Sequence, residues 1–328
     1  MAAILYRGQR VELAPGESVL DGLLGAGIDA PHSCRSGHCR TCLARAVDGP
    51  PPPGSQEGLK DAWRELGLFL TCKGVPTADL AITTVDDLGL EVGATVTEIA
   101  RIGRDVVRLR LITDAPFEHR GGQFVSLVRA DGLARSYSTA NLPGRDDFLE
   151  LHVRVIKDGA MSGWIARELA AGTRVAVRGP DGECFYVPGN PQTPLLLVGT
   201  GTGLAPLFAI LQDALRHGHR GPIVLLQGAV DAGGLYLVEE LEALARANPL
   251  VEYVRCLLRG EPGVGLEVGP IHSILKARWP SLRGWKVFLC GDPDLVLDLR
   301  KRVFLAGAAL RDIHADAFVM KPRASSSV

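Results

Sequence analysis

The chain has 328 residues, 46% hydrophobic and 22% charged. That balance excludes a disordered, collagenous or coiled-coil chain as the main architecture. A formal net charge of −1 gives no overall basis for binding nucleic acid or an anionic membrane. No apolar run approaches the ~18 residues a membrane helix needs, and residues 1–13 lack the basic-then-apolar order of a secretion signal. Cytoplasmic residence and two or three domains are therefore expected.

Residues 3–6 and 9–13 alternate in polarity around Arg7-Gly8 and predict a β-hairpin. A short helix is expected over 19–26, then a Gly/Ser/Cys-rich loop. The run Pro50–Pro53 with Gly54 reads as a surface loop, and a helix over 60–66 precedes Cys72. The stretch 88–93 reads as a linker. Between 94 and 188 the pattern is rich in short strands (96–102, 106–112, 123–128, 148–155, 174–178). Gly103-Arg104-Asp105, Gly121-Gly122 and Pro143-Gly144 separate them. One helix, near 162–170, interrupts a pattern that suggests a barrel or sandwich.

From 189 the rhythm changes. Apolar strands at 195–198, 223–227, 251–258 and 287–290 precede helices at 204–217, 235–247, 271–278 and 294–305. Such alternation predicts a parallel sheet with right-handed crossovers. The expected domains are thus 1–88, 93–188 and 189–320, with a frayed tail at 321–328. The four tryptophans, Trp63, Trp164, Trp279 and Trp285, show no regular spacing and read as packing residues.

Four of the seven cysteines fall in the first domain, as Cys34-x4-Cys39-x2-Cys42 followed, after 29 intervening residues, by Cys72. This is the plant-type spacing for a 2Fe–2S cluster. Two irons and two sulfides need four soft anionic ligands in a small volume, which thiolates supply. Gly37 can take the positive φ that a tight ligand loop requires. A structural zinc site would more commonly show two short Cys/His pairs. With four thiols in place, His32 and His38 read as solvated loop residues. Cys184 and Cys256 read as core thiols.

The segment Cys34-Arg35-Ser36-Gly37-His38-Cys39-Arg40-Thr41-Cys42 resembles the cluster loop of plant-type ferredoxin domains. The blocks that follow resemble the reductase components of multicomponent oxygenases, iron–sulfur flavoproteins of the ferredoxin–NADP reductase superfamily. The resemblance implies a ferredoxin-like α+β β-grasp domain, an antiparallel β-barrel flavin domain and an α/β nicotinamide domain. It further implies an oxidoreductase that passes electrons from NADH through FAD to the cluster, then to a partner oxygenase or hydroxylase. Relatives that carry the cluster domain first use FAD rather than FMN. Related chains reduce a ferredoxin, a cytochrome or a deoxysugar dehydratase instead, and a redox sensor without rapid turnover is a further alternative. Residues 1–87 hold 8 Lys/Arg against 11 Asp/Glu, net −3, a mild acidity that could steer toward a basic partner or be ordinary surface charge.

Two further segments fit the resemblance. In Arg135-Ser136-Tyr137-Ser138, Arg135 can fork onto a diphosphate, Tyr137 offers a ring face and Ser138 a hydroxyl for a flavin ring nitrogen. Downstream, Gly159, Met161 and Ser162 open a helix whose free N–H groups suit phosphate, with Ser162 as its expected N-cap. Gly199-Thr200-Gly201-Thr202-Gly203 follows a strand and opens a helix, the arrangement that lets backbone approach a pyrophosphate. Cys290-Gly291 matches the pair that lies beside the nicotinamide ring in the superfamily, so Ser138 and Cys290 are the expected catalytic side chains. Asp231, after the second strand of this domain, favours a free ribose and hence NADH; Arg259 keeps NADPH open. Phe318 is either the aromatic that covers the flavin or one more core residue of an edge strand.

Overall fold

A computed structural model describes residues 2–32, 35, 37, 42–84 and 90–318. The masked positions include Cys34, His38, Cys39 and the expected tail, which therefore lie outside the described residues. The chain divides into two compact units, the second starting at Leu90.

The first unit contains β1 (Ala3–Tyr6), β2 (Gln9–Glu12), α1 (Val19–Gly25), β3 (Leu43–Asp48), α2 (Asp61–Glu65), β4 (Leu68–Leu70) and β5 (Leu80–Thr84). They form one sheet in the order β2-β1-β5-β3-β4. β1 and β2 make the expected hairpin. Arg7 and Gly8 both take positive φ, 48° and 77°, the backbone of a two-residue turn matched to strand twist. β1 and β5 run parallel. Ser18 caps α1, its hydroxyl accepting from the Asp21 N–H at 3.1 Å. The helix buries Val19, Leu20 and Leu23 against Ile4, Tyr6, Phe69 and Ile82 of the sheet.

The second unit begins with β6 (Leu90–Arg101), β7 (Val106–Thr113), β8 (Phe124–Val128), β9 (Ala134–Ser138), β10 (Leu149–Arg154), α3 (Ala160–Arg167) and β11 (Arg174–Asp181). The strands form an antiparallel sheet in the order β10-β7-β6-β11-β8-β9. A bridge between Thr139 and Leu151 links its two edges. Alternate residues, among them Leu109, Leu111, Val125, Leu127 and Leu151, face one core, which α3 closes with Met161 and Ile165.

Residues 90–93, expected as linker, are strand. Gly93 pairs with Ala176, and a Cβ there would strike the Asp114 and Arg174 side chains, which are ion-paired to each other. The glycine makes room for an ion pair laid across the strand. It does not mark a flexible join.

The rest of the unit is β12 (Leu195–Thr200), α4 (Leu204–Arg216), β13 (Ile223–Ala229), α5 (Val238–Ala247), β14 (Val251–Leu257), β15 (Leu266–Val268), α6 (Ile271–Arg278), β16 (Lys286–Gly291), α7 (Pro293–Leu305) and β17 (Ile313–Ala317). All six strands are parallel, in the order β15-β14-β13-β12-β16-β17. Leu195, Leu197, Ile223 and Leu225 face α4 and α5. Leu196, Val198, Val224 and Leu226 face α6 and α7. Covering both faces is what makes these strands continuously apolar. α5 starts three residues later than expected, because Leu237 takes a left-handed φ of 54°. The order in which the chain adds strands reverses at β12, between β13 and β16. Such a switch point opens a crevice at the strands' carboxyl ends.

The two sheets of this unit share a core. Val106, Cys184 and Tyr186 pack with Leu195, Leu207 and Phe288. Gly121 and Gly122 lie against Ala209 and Ile210 of α4, where added Cβ atoms would collide. At ~1.5–3 kcal/mol for each fully buried large aliphatic side chain, the α4 face (Leu204, Leu207, Ile210, Leu211) contributes much of what fixes the helix in place.

Candidate redox-cofactor sites

In the first unit, Cys42 ends the cysteine loop immediately before β3, and Cys72 follows β4. Thr71 ties these segments together: its N–H and its hydroxyl both donate to the Cys42 carbonyl, each at 3.0 Å. The two sulfurs stand 3.3 Å apart beside Leu59, Leu70 and Trp63. That is near the ~3.8 Å edge of a tetrahedron with metal–sulfur bonds of ~2.3 Å, so this half of the thiol set fits one metal of a cluster. Gly37 takes φ 87° as expected. The Arg35 guanidinium pairs with Asp21 of α1; the Ser18 hydroxyl, and after it this guanidinium, hold the Asp21 carboxyl below its ordinary range.

In the second unit, β9 carries Arg135, Ser136, Tyr137 and Ser138. Residues two apart share a face, so Arg135 and Tyr137 point one way and Ser138 the other. Arg135 is exposed, with one Nη donating to the Ala134 carbonyl at 2.7 Å. The half-buried Tyr137 ring packs at the margin of the sheet's core, and burial pushes its phenol up. Across the sheet's edge, Asp158 takes a left-handed φ of 56° and leads into α3.

The N-cap of α3 is Gly159, not Ser162 as expected. Ser162 sits in the first turn, and its hydroxyl accepts from the Ile156 N–H at 3.1 Å. A Cβ on Gly159 would run into that hydroxyl. Ser162 therefore closes the preceding turn, while Met161 is buried in the core. The group this start offers an anion is backbone N–H.

The glycine-rich turn lies where β12 meets α4. A Cβ on Gly203 would strike the Cys290 carbonyl, and one on Gly291 would lie 2.6 Å from the Thr200 carbonyl. The turn is thus pressed against the end of β16, with Thr200, Gly201 and Thr202 at its rim. Cys290 is buried, its thiol pushed up chiefly by burial. Its sulfur lies 3.5 Å from that of Cys184. Cys184 is buried as expected, but it is a direct neighbour of the candidate catalytic thiol. Cys256 sits in the core beside α6.

β17 completes this junction. Its residues pair with β16 so that Asp316 stands opposite Cys290. The Phe318 N–H donates to the Gly291 carbonyl at 2.9 Å, which sets the Phe318 backbone beside the Cys290-Gly291 pair. The Ser138 hydroxyl lies 3.4 Å from the Asp316 carboxylate. Burial pushes the Asp316 carboxyl up to about 6, against the pull of that hydroxyl. Ser138 from the antiparallel sheet and Cys290, Asp316 and Phe318 from the parallel one are therefore brought together.

Sequence reasoning missed Asp316. The available signal was a lone acid in the apolar strand Ile313-His314-Ala315-Asp316-Ala317. It also missed Arg154 at the end of β10, whose guanidinium would be 3.9 Å from a Cβ on Gly201. Asp231 follows β13 as expected and is ion-paired with Arg104 at 2.9 Å. The Arg259 N–H donates to the Val230 carbonyl at 2.9 Å, so Arg259 borders the same loop. Among the described residues, no helix is long and apolar enough to cross a membrane.

Three family models match the chain in order. They are a 2Fe-2S iron-sulfur cluster binding domain over residues 4–77, an oxidoreductase FAD-binding domain over 93–186 and an oxidoreductase NAD-binding domain over 197–301. The reductase subunit of an aromatic O-demethylase from Amycolatopsis sp. is 34% identical over 96% of this chain and 98% of its own. The ferredoxin--NAD(P)(+) reductase component of naphthalene 1,2-dioxygenase/salicylate 5-hydroxylase systems from Ralstonia sp. is 32% identical over 92% and 94%. Among solved structures, an Amycolatopsis cytochrome P450 reductase superposes with a TM-score of 0.66 at 34% identity, covering 97% of this chain and 99% of that one. The ferredoxin reductase of carbazole 1,9a-dioxygenase shares the fold, with a TM-score of 0.65 at 23% identity over 97% and 98%. With a cluster-binding, an FAD-binding and an NAD-binding domain in that order, and relatives matched along nearly their whole length, the chain belongs to the iron–sulfur flavoprotein reductase components of oxygenase systems.

Proposed function

We propose that this chain takes electrons from NADH and passes them through FAD and a 2Fe–2S cluster to a partner oxygenase acting on a small aromatic compound. The observation that carries the reading is the junction of Ser138, Cys290, Asp316 and Phe318 at the strand ends of both sheets. The similar proteins from Amycolatopsis and Ralstonia serve aromatic O-demethylation and naphthalene or salicylate oxidation, which supports the class of partner.

When bound, the flavin supplies hydride acceptance and single-electron release, chemistry that side chains alone do not perform. Arg135 and the N–H groups at the start of α3 fit its diphosphate, and Tyr137 and Phe318 offer faces for its ring. Ser138 directs a hydroxyl to the junction. Asp316, poised near pH 6, can hold a proton there or release it. The small, uncharged Cys290 thiol keeps water out while leaving room for a nicotinamide ring. In the dinucleotide crevice, the Gly199–Gly203 turn and Arg154 fit a pyrophosphate, and Asp231 fits the diol of an adenosine ribose. Cys42 and Cys72, with Cys34 and Cys39 completing the set, fit the cluster.

The test is steady-state reduction of cytochrome c by the holoprotein with NADH or NADPH. Rapid turnover with NADH and at least about tenfold lower kcat/KM with NADPH, the discrimination one well-placed charged group can give, is expected. Slow turnover with either nucleotide would sink the reductase reading in favour of a sensor.

A further inference from the structure

The loop after β13 is not built by the parallel sheet alone. Arg104, in the β6–β7 turn of the antiparallel sheet, donates from Nη1 to the Asp231 carboxylate at 2.9 Å. Its guanidinium lies over the turn Ala232–Gly234, so a Cβ on Gly233 would meet Nη1 at 2.9 Å. Beside it, a Cβ on Gly103 would come within 3.0 Å of the Tyr236 Cβ. The Tyr236 hydroxyl in turn lies 3.2 Å from the buried His152 Nδ1 of β10. The loop 231–236 is thus seated on the antiparallel sheet at both its ends.

We propose that Arg104 is a positioning residue that sets nucleotide preference through Asp231. The inference rests on the reading that this loop receives the adenosine ribose. The ion pair fixes the carboxylate so that it can accept from both ribose hydroxyls. It also occupies a guanidinium that lies over the Ala232–Gly234 turn beside that carboxylate. An exposed ion pair adds little stability, but both partners of this one border the same loop. When Asp231 loses its charge, Arg104 is released as a forked donor for phosphate. The preference is therefore held by two residues from two sheets, and Asp231 alone does not define it.

The test is calorimetric titration of the oxidised holoprotein with ADP-ribose and with its 2′-phosphate, which bind without turnover. Parent, Arg104→Gln, Arg104→Lys, Asp231→Asn and the Arg104→Gln/Asp231→Asn double variant are compared. Asp231→Asn should bind the 2′-phosphate about tenfold more tightly than the parent does, as expected for a newly available charged pair. The double variant should lose that gain. Arg104→Gln should weaken ADP-ribose several-fold with no gain for the 2′-phosphate, and Arg104→Lys should restore part of the loss. A double variant that keeps the gain, or an Arg104→Gln that binds ADP-ribose like the parent, would overturn the proposal for Arg104. If Asp231→Asn alters neither ligand, the assignment of the loop to the ribose fails, and the proposal falls with it.

Discussion

The Ser138 hydroxyl and the Asp316 carboxylate meet at 3.4 Å across 178 residues of sequence. One closes a strand of the antiparallel sheet, the other lies on the last strand of the parallel sheet. Neither position has meaning alone, because the junction forms only when both sheets pack on their shared core. Replacing Ser138 by Ala or Asp316 by Asn should slow NADH-driven flavin bleaching by about 100-fold, the lower end of the reach of a positioned proton-handling group. Stopped-flow absorbance under anaerobic conditions checks this, and an Asp316→Asn variant that reduces flavin at the parental rate would remove the residue from the site.

Asp316 also makes a stability prediction. Its carboxyl is raised by burial from the ordinary 3.8 to about 6, so between those values the folded state holds a proton that the unfolded state has lost. Stability from this group is present at low pH and is lost as pH rises through about 4 to 6. Asp316→Asn carries no such charge. Its melting temperature relative to the parent should climb across that window and level off above it. A constant difference from pH 4 to 7 would contradict the raised value.

Cys42 and Cys72 supply a cleaner separation of functions. Because they belong to the first unit, Cys42→Ser should abolish the iron–sulfur absorption and leave the flavin bound in the second. Reduction of ferricyanide by NADH should persist near the parental rate. Reduction of cytochrome c should fall by more than about tenfold, since the route through the thiolate-bound irons is gone. Equal loss of both activities would show that the cluster does not lie after the flavin in the path.

Gly203 tests the packing of the dinucleotide turn. A methyl group there would collide with the Cys290 backbone, which cannot swing aside as a side chain end could. Gly203→Ala should cost about 1–3 kcal/mol, the typical range for overpacking. It should also raise KM for NADH, as should Gly201→Ala, where the obstacle is a positive φ of 54° and not a backbone collision. Thermal melts and steady-state kinetics on both variants measure the two effects.

The proposed cluster ligands could be read from the sequence because a metal site writes its spacing into a short segment, and Cys34, Cys39 and Cys42 fall within nine residues. The strand-turn-helix at Gly199–Gly203 was legible for a similar reason, since a phosphate turn needs glycines at fixed places in one short segment. Asp316, Arg104 and Arg154 were not legible. Each is an isolated charge whose partner arrives from another element, and nothing within a few residues of it marks the role. β15 is an edge strand of three residues, too short for a periodic pattern to separate from loop. Gly93 was misread because a glycine under an ion pair has the same letter as a glycine in a linker.

The most direct test is an anaerobic absorbance titration of the holoprotein with NADH. Flavin and iron–sulfur bands should both bleach, ending at about three electrons per chain, two for the flavin and one for the cluster. A flavin that bleaches at two electrons while the iron–sulfur band stays oxidised would contradict the proposed electron path.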